Sequence, residues 1–134
     1  MNTTESESPP RQEIPILVKI SAIIILVVSV IGLIFFVTAI IYQVYDTQLF
    51  ENIKGNLNTY LRSYVIVQSI LHVFLLFSAL LILKLKKVGL FLFIFTFISI
   101  LGSELLFTNG HIIYHGIPGA IFSIIISIYY AKFN

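Results

Sequence analysis

Four long apolar stretches limit the fold of this chain more than any other feature of its sequence. An α-helix rises about 1.5 Å per residue, so about 20 residues are needed to cross the hydrocarbon core of a bilayer. Hydrophobic residues make up 58% of the 134 residues and charged residues 10%, against about 25% charged residues in soluble domains. We predict an all-α fold, an integral membrane four-helix transmembrane bundle, with spans at about 20–42, 61–83, 88–108 and 112–131.

Polar segments precede and separate these stretches. Residues 1–13 carry too little apolar surface to fold alone, so we predict a disordered cytoplasmic tail ahead of a single transmembrane domain, 14–134. Residues 46–60 are predicted to form an outer loop. Four apolar side chains at helical spacing would also suit a short helix lying on the membrane surface, namely Leu49, Phe50, Ile53 and Leu57.

Two short turns connect the last three stretches. The first is the basic segment KLKK at 84–87, and the second is TNGH at 108–111. The Asn-Gly pair in the second segment is a strong turn signal. Because short connections force neighbouring helices to run antiparallel, these three helices are predicted to alternate in direction across the membrane.

The distribution of lysine and arginine predicts the orientation, because cytoplasmic loops carry an excess of both. With the N-terminus inside, six of the eight basic residues fall on the cytoplasmic side and two on the outer side. The six are Arg11, Lys19, Lys84, Lys86, Lys87 and Lys132, and the two are Lys54 and Arg62. We therefore predict a multi-pass protein of the bacterial cytoplasmic (inner) membrane, with both termini in the cytoplasm.

Composition and missing motifs argue against several classes of function. The chain has no cysteine, which removes disulfides, thiolate metal sites and cysteine nucleophiles. Its net charge of +2, without a basic patch interleaved with aromatics, argues against binding nucleic acid. The sequence has no Walker loop, no G-x-S-x-G and no dinucleotide fingerprint. We predict that the protein is not an enzyme, and no cofactor is predicted.

Small residues at four-residue spacing are typical of helix contacts in lipid, where backbones approach closely. The third stretch carries Thr96, Ser99 and Ser103, and the fourth carries Gly116, Gly119, Ala120, Ser123 and Ser127. We predict that these two stripes face each other, or that they pack against another protein. Pro118 lies within the fourth stretch and is predicted to bend its helix.

A few polar side chains interrupt the apolar stretches, chiefly in GSELLFTNGHIIYHGIPG at 102–119. Ionisable residues inside a membrane are costly and are therefore functional candidates. With the orientation above, they fall in the outer half of the bundle. We predict a polar pocket there, formed by Gln68, His72, Glu104, His111 and His115.

Four interpretations of this pocket stay open. In the first, which we favour, the polar groups are structural: Glu104 pairs with Arg62 or lies near the turn, and the histidines bind backbone carbonyls or water. In the second, Glu104, His111 and His115 hold a metal ion. In the third, His72 and His115 ligate a haem, although their depths in the membrane differ. In the fourth, Glu104 and His72 titrate along a conduit for protons or a small solute.

The C-terminal part of the chain resembles small uncharacterised four-span bacterial inner-membrane proteins. The features are the basic turn with an aromatic-rich span, KLKKVGLFLFIF, and a last span that opens near GIPG and ends in IYYAKFN. The resemblance implies four helices in the cytoplasmic membrane and no particular activity. The chain is also similar in size to small four-span exporters, but those carry an essential glutamate in the first span, where this sequence has none.

The sequence thus predicts a small non-enzymatic membrane protein, an accessory or assembly subunit that binds another membrane protein or itself within the lipid bilayer. The alternative is a small-solute or proton-coupled transporter, or a metal-binding membrane protein that uses Glu104, His111 and His115.

Overall fold

The computed structural model describes residues 13–42, 57–107 and 112–134. Within these ranges the chain forms four α-helices and a short 3-10 turn, and the all-α prediction is confirmed. The elements are α1 (Ile16–Tyr42), α2 (Leu57–Leu83), α3 (Lys87–Phe107), α4 (Ile112–Ile128) and the 3-10 turn Tyr130–Lys132. By length and composition α1, α2 and α3 could cross a membrane, while α4 is shorter and contains Pro118.

The helix bounds differ from the predicted spans mainly at α2. The α2 helix begins at Leu57, so the last four residues of the predicted outer loop, 46–60, form its first turn. The physical reason is that residues 57–60 contain no glycine or proline, so nothing in this segment breaks the helix. The rest of that loop, the tail before residue 13 and the turn at 108–111 lie outside the described residues.

All four helices contribute to one buried core. Small residues let α1 and α2 approach closely, and Ala22, Ser29, Ser78 and Ala79 are fully buried. The larger members of the core are Val18 and Ile25 from α1, Leu71, Leu75 and Ile82 from α2, Leu90, Phe93 and Ile100 from α3, and Ile126 from α4. Most other large apolar side chains on the helices are exposed, as expected for surfaces that face lipid.

The connection between α2 and α3 is a Schellman-type helix end that also holds the C-terminal residues. The amide of Lys86 donates to the carbonyl of Leu81 at 3.0 Å, and Leu85 adopts a positive φ of 52°. The amide of Asn134 donates to the carbonyl of Leu85 at 2.7 Å, and the amide of Lys87 donates to the carbonyl of Asn134 at 2.8 Å. The end of the chain therefore lies against the basic turn.

Candidate functional site

A cavity of about 480 Å³ lies between the four helices. This volume is within the range of about 300–1,000 Å³ that small-molecule sites occupy. Its lining comes from every helix: Ile25, Val28, Ile31, Gly32, Phe35 and Phe36 of α1, Tyr64, Gln68, His72 and Leu75 of α2, Phe93, Phe97, Ile100 and Glu104 of α3, and Pro118, Gly119 and Phe122 of α4. Its lining on α2 runs from Tyr64 to Leu75, which is about 16 Å along the helix axis.

One end of the cavity is polar. Gln68 and Glu104 are buried, with 1% and 5% of their surfaces exposed. The Gln68 Nε2 donates to Ser103 Oγ at 2.9 Å, and Ser103 Oγ donates in turn to the carbonyl of Ile100 at 2.8 Å. The side chains of Tyr64 and Gln68 share a further hydrogen bond. We call Tyr64, Gln68 and Glu104 the polar cluster.

His72 lies one helical turn beyond the polar cluster. Its Nδ1 is 2.8 Å from the carbonyl oxygen of Gln68, and because a carbonyl only accepts, Nδ1 is the donor. The imidazole centre is 5.1 Å from the ring centre of Phe36. The ring also lies against Gly32, one turn before Phe36 on α1, where a Cβ atom would overlap Cδ2 and Nε2 of His72. The imidazole of His72 fits between α1 and α2 because position 32 has no side chain.

Aromatic rings form the walls of the cavity on the side of α3 and α4. Phe93 and Phe97 are nearly parallel, with ring centres 6.2 Å apart and an interplanar angle of 10°. The Phe97 ring covers Gly119 closely enough that a Cβ atom there would overlap it. Near the polar cluster, the rings of Phe36 and Tyr64 meet edge to face at 6.1 Å.

From the exposure of the lining residues we infer that the cavity opens sideways between α1 and α4. Among its lining residues, the exposed ones belong to these two helices alone: Val28, Ile31 and Phe35 from α1 and Pro118 from α4. Ile31 has 63% of its surface exposed and Val28 has 50%. The lining from α2 and α3 is buried or half-buried. In a membrane-embedded bundle, an opening at this position faces the lipid.

The structure brings three of the five predicted pocket residues to one cavity: Gln68, His72 and Glu104. His111 lies outside the described residues, and His115 is described only as part of the α4 backbone. The metal site of Glu104, His111 and His115 and the haem pair of His72 and His115 therefore stay predictions. Within the described ranges, no three His, Cys, Asp or Glu residues are grouped so that they could hold a metal ion.

The small residues of the predicted stripe on α4 differ in burial. Gly119 is buried against Phe97 of α3, whereas Ala120 and Ser127 of α4 are exposed, so only part of the stripe faces α3. Gly119 and Ile126 are both buried and seven residues apart, so they define the inward face of α4. Ala120 and Ser127 each follow by one residue and lie about 100° around the helix.

The remaining stripe residues bond mostly within their own helices. Ser99 Oγ donates to the carbonyl of Phe95, and Ser123 Oγ donates to that of Gly119. Ser103 also accepts the bond from Gln68 of α2. Thr96 is fully buried, and its Oγ1 has no hydrogen-bond partner among the residues that the structure describes. Gly116 is half-buried on α4.

Sequence reasoning missed the aromatic walls and the role of Gly32. A signal existed for the glycine, because it is the single glycine within α1 and an isolated glycine in a helix often marks a close contact. Such a signal is lacking for Phe93, Phe97 and Phe122, which are three of twelve phenylalanines in the chain.

Comparisons of the chain with protein-family models, with curated proteins and with solved structures found no match.

Proposed function

We propose that the protein is a non-enzymatic membrane protein that binds a small amphipathic molecule in the cavity between its helices. The observation that carries this proposal is the cavity of about 480 Å³ with polar side chains at one end and aromatic walls along the rest. The walls match the apolar body of such a molecule. Tyr64, Gln68 and Glu104 match its polar head.

A bundle held together by packing alone needs neither this space nor these side chains. Space without atoms forfeits the dispersion contacts that hold helices together in lipid. A buried glutamate and a buried glutamine are also more costly in a membrane than leucine at the same positions. Both features become useful if a molecule fills the space and uses the polar groups.

The lateral opening indicates where the molecule comes from. Val28, Ile31 and Phe35 carry only hydrocarbon to the edge of the cavity. A molecule dissolved in the bilayer would pass between α1 and α4 without crossing a polar barrier. The α4 helix contains Pro118 at this edge, and proline weakens the local hydrogen bonding of a helix. We therefore propose that the ligand reaches the cavity from the lipid phase.

We further propose that α4 is a fourth span and that both termini lie in the cytoplasm of a bacterial cell. The contacts of Asn134 with Leu85 and Lys87 support this, because the C-terminal residues and the α2–α3 turn then share one end of the bundle. Lys84, Lys86, Lys87 and Lys132 accumulate at that end, as the positive-inside rule expects of the cytoplasmic side. The polar cluster then lies in the outer half of the inner membrane.

As a second candidate we propose the accessory role, in which the protein assembles with another membrane protein or with a second copy. The supporting observation is the exposed line of Ala120 and Ser127 on α4. Small residues on an outward face allow another helix to approach closely. This role and ligand binding are compatible, because the line lies away from the buried face of α4.

Native mass spectrometry tests the proposal directly. We expect the protein, gently extracted from its own membranes, to retain a small molecule in a one-to-one ratio. Leu75→Trp should abolish this added mass, because Leu75 lines the cavity with 7% of its surface exposed and a larger side chain fills the space. Leu80→Trp is the matched control on the same helix, since Leu80 has 40% of its surface exposed and does not line the cavity.

The two tryptophan variants separate the outcomes. Equal loss or equal retention of the added mass in both variants would contradict binding in the cavity. A bare subunit mass for the unaltered protein would contradict it as well. A second protein bound without any small molecule would support the accessory role in its place.

A further inference from the structure

We propose that the ligand of the cavity is a lipophilic organic cation, that is, an amine, ammonium or phosphonium group on an apolar body, whose charge pairs with Glu104. This inference rests on the proposed function and narrows it to one class of molecule. It follows from the charge, the hydrogen-bonding groups and the rings that line the cavity.

The described part of the lining contains one carboxyl group. Among the lining residues that the structure describes, the titratable side chains are Tyr64, His72 and Glu104, and Glu104 is the one acid. No lysine or arginine is part of the lining, as far as the structure describes it. Only 5% of the surface of Glu104 is exposed, so water screens the electric field of a charge at this position little. Such a site attracts a cation and repels an anion.

The hydrogen-bonding groups point to the same class. One N–H of the Gln68 Nε2 donates to Ser103 Oγ at 2.9 Å, and the Nδ1 of His72 donates to a backbone carbonyl at 2.8 Å. These donors therefore serve the protein itself. The side chain of Glu104 is a carboxylate when ionised, and a carboxylate has only acceptor atoms, so it suits a head group that donates or carries positive charge.

The aromatic walls complete the site. The face of an aromatic ring attracts a cation placed within about 6 Å of its centre. Phe36, Phe93, Phe97 and Phe122 all line the cavity, and Phe93 and Phe97 of α3 are stacked in one wall. A carboxylate at one end and aromatic rings along the walls recognise a positively charged head and an apolar body together.

Two ions of nearly equal size and opposite charge test the inference. Tetraphenylphosphonium and tetraphenylborate have the same four-ring shape, so the cavity should discriminate between them by charge. Binding is measured by equilibrium dialysis of the protein in an uncharged maltoside detergent, against empty micelles of that detergent. We expect one tetraphenylphosphonium per chain, bound about tenfold or more tightly than tetraphenylborate.

Glu104→Gln should lower the affinity for tetraphenylphosphonium by about tenfold or more and leave tetraphenylborate binding no weaker. Glu13→Gln is the matched control, because it removes the same charge from an exposed residue before α1 and should change neither affinity. If Glu104→Gln fails to fold, the comparison of the two ions on the unaltered protein remains decisive.

The results distinguish this inference from the function on which it rests. Equal binding of both ions, tighter binding of tetraphenylborate, or an unchanged affinity in Glu104→Gln would overturn the cation assignment. If Leu75→Trp then abolishes binding of either ion, the cavity is still a binding site and the proposed function stands. Binding of neither ion above the level of empty micelles also overturns the assignment, and native mass spectrometry then decides the proposed function separately.

Discussion

Gly89→Ala is expected to lower the free energy of unfolding by about 1–3 kcal/mol, the cost of forcing an extra methyl group into a packed interior. A Cβ atom at Gly89 would lie 2.7 Å from Leu81 Cβ, 2.8 Å from the backbone nitrogen of Ile82 and 2.9 Å from the carbonyl carbon of Leu81. Two of these atoms belong to the backbone of α2 and cannot turn aside as a side chain would. The α2–α3 hairpin would have to open for the methyl group to fit.

Gly102→Ala is the control for this effect within the same helix. A Cβ atom at Gly102 meets no other atom within 4 Å, so the substitution should be neutral or stabilise the helix by up to about 1 kcal/mol. Unfolding in detergent micelles, followed by circular dichroism during a titration with sodium dodecyl sulfate, measures both variants against the unaltered protein. Similar changes in the two variants would show that α2 and α3 are not packed as described.

Gly32→Ala should weaken binding of tetraphenylphosphonium about tenfold or more and change stability far less. The added methyl group would overlap Cδ2 and Nε2 of His72. These atoms are the far end of a side chain, so the ring moves and the backbone stays. If it turns into the cavity, it occupies the space of the ligand. If it turns outward, the ring of His72 no longer forms the part of the cavity wall that it shares with Phe36.

A second substitution shows whether His72 causes this loss. In the double variant Gly32→Ala, His72→Ala the overlap is gone, and the affinity should return to that of His72→Ala alone. Contacting residues couple by about 0.5–3 kcal/mol, and about 1.4 kcal/mol corresponds to a factor of ten in affinity. An affinity that is unchanged by Gly32→Ala, or that the double variant does not restore, would contradict this account of the cavity.

The apolar runs predict the helices of this protein well because run length alone decides them. The α1, α2 and α3 helices each fall on a predicted span. The predicted second span begins at Leu61 and α2 at Leu57, because the polar residues Asn58 and Thr59 resemble a loop in the sequence although nothing there breaks a helix. Polar side chains within apolar runs also predict part of the cavity lining, namely Gln68, His72 and Glu104.

The length and polarity of the apolar runs do not predict the aromatic walls of the cavity. When every face of a helix is apolar, hydrophobic periodicity does not distinguish the side that packs from the side that faces lipid. Phe93 and Phe95 illustrate this, since the same residue type two positions apart is 2% exposed in one case and 68% exposed in the other. Only the positions of the neighbouring helices decide which phenylalanine lines the cavity.

Photoaffinity labelling tests the central claim, that a molecule from the bilayer occupies the space between the helices, most directly. The probe is a quaternary ammonium with a benzophenone on its apolar body, added to membranes that contain the protein, irradiated, and mapped by mass spectrometry of peptides. We predict crosslinks at Phe93, Phe97 or Phe122, all of which line the cavity, and their loss in the presence of excess tetraphenylphosphonium. Crosslinks confined to Phe91 and Phe95, which are 59% and 68% exposed, or crosslinks that the competitor does not reduce, would contradict the account.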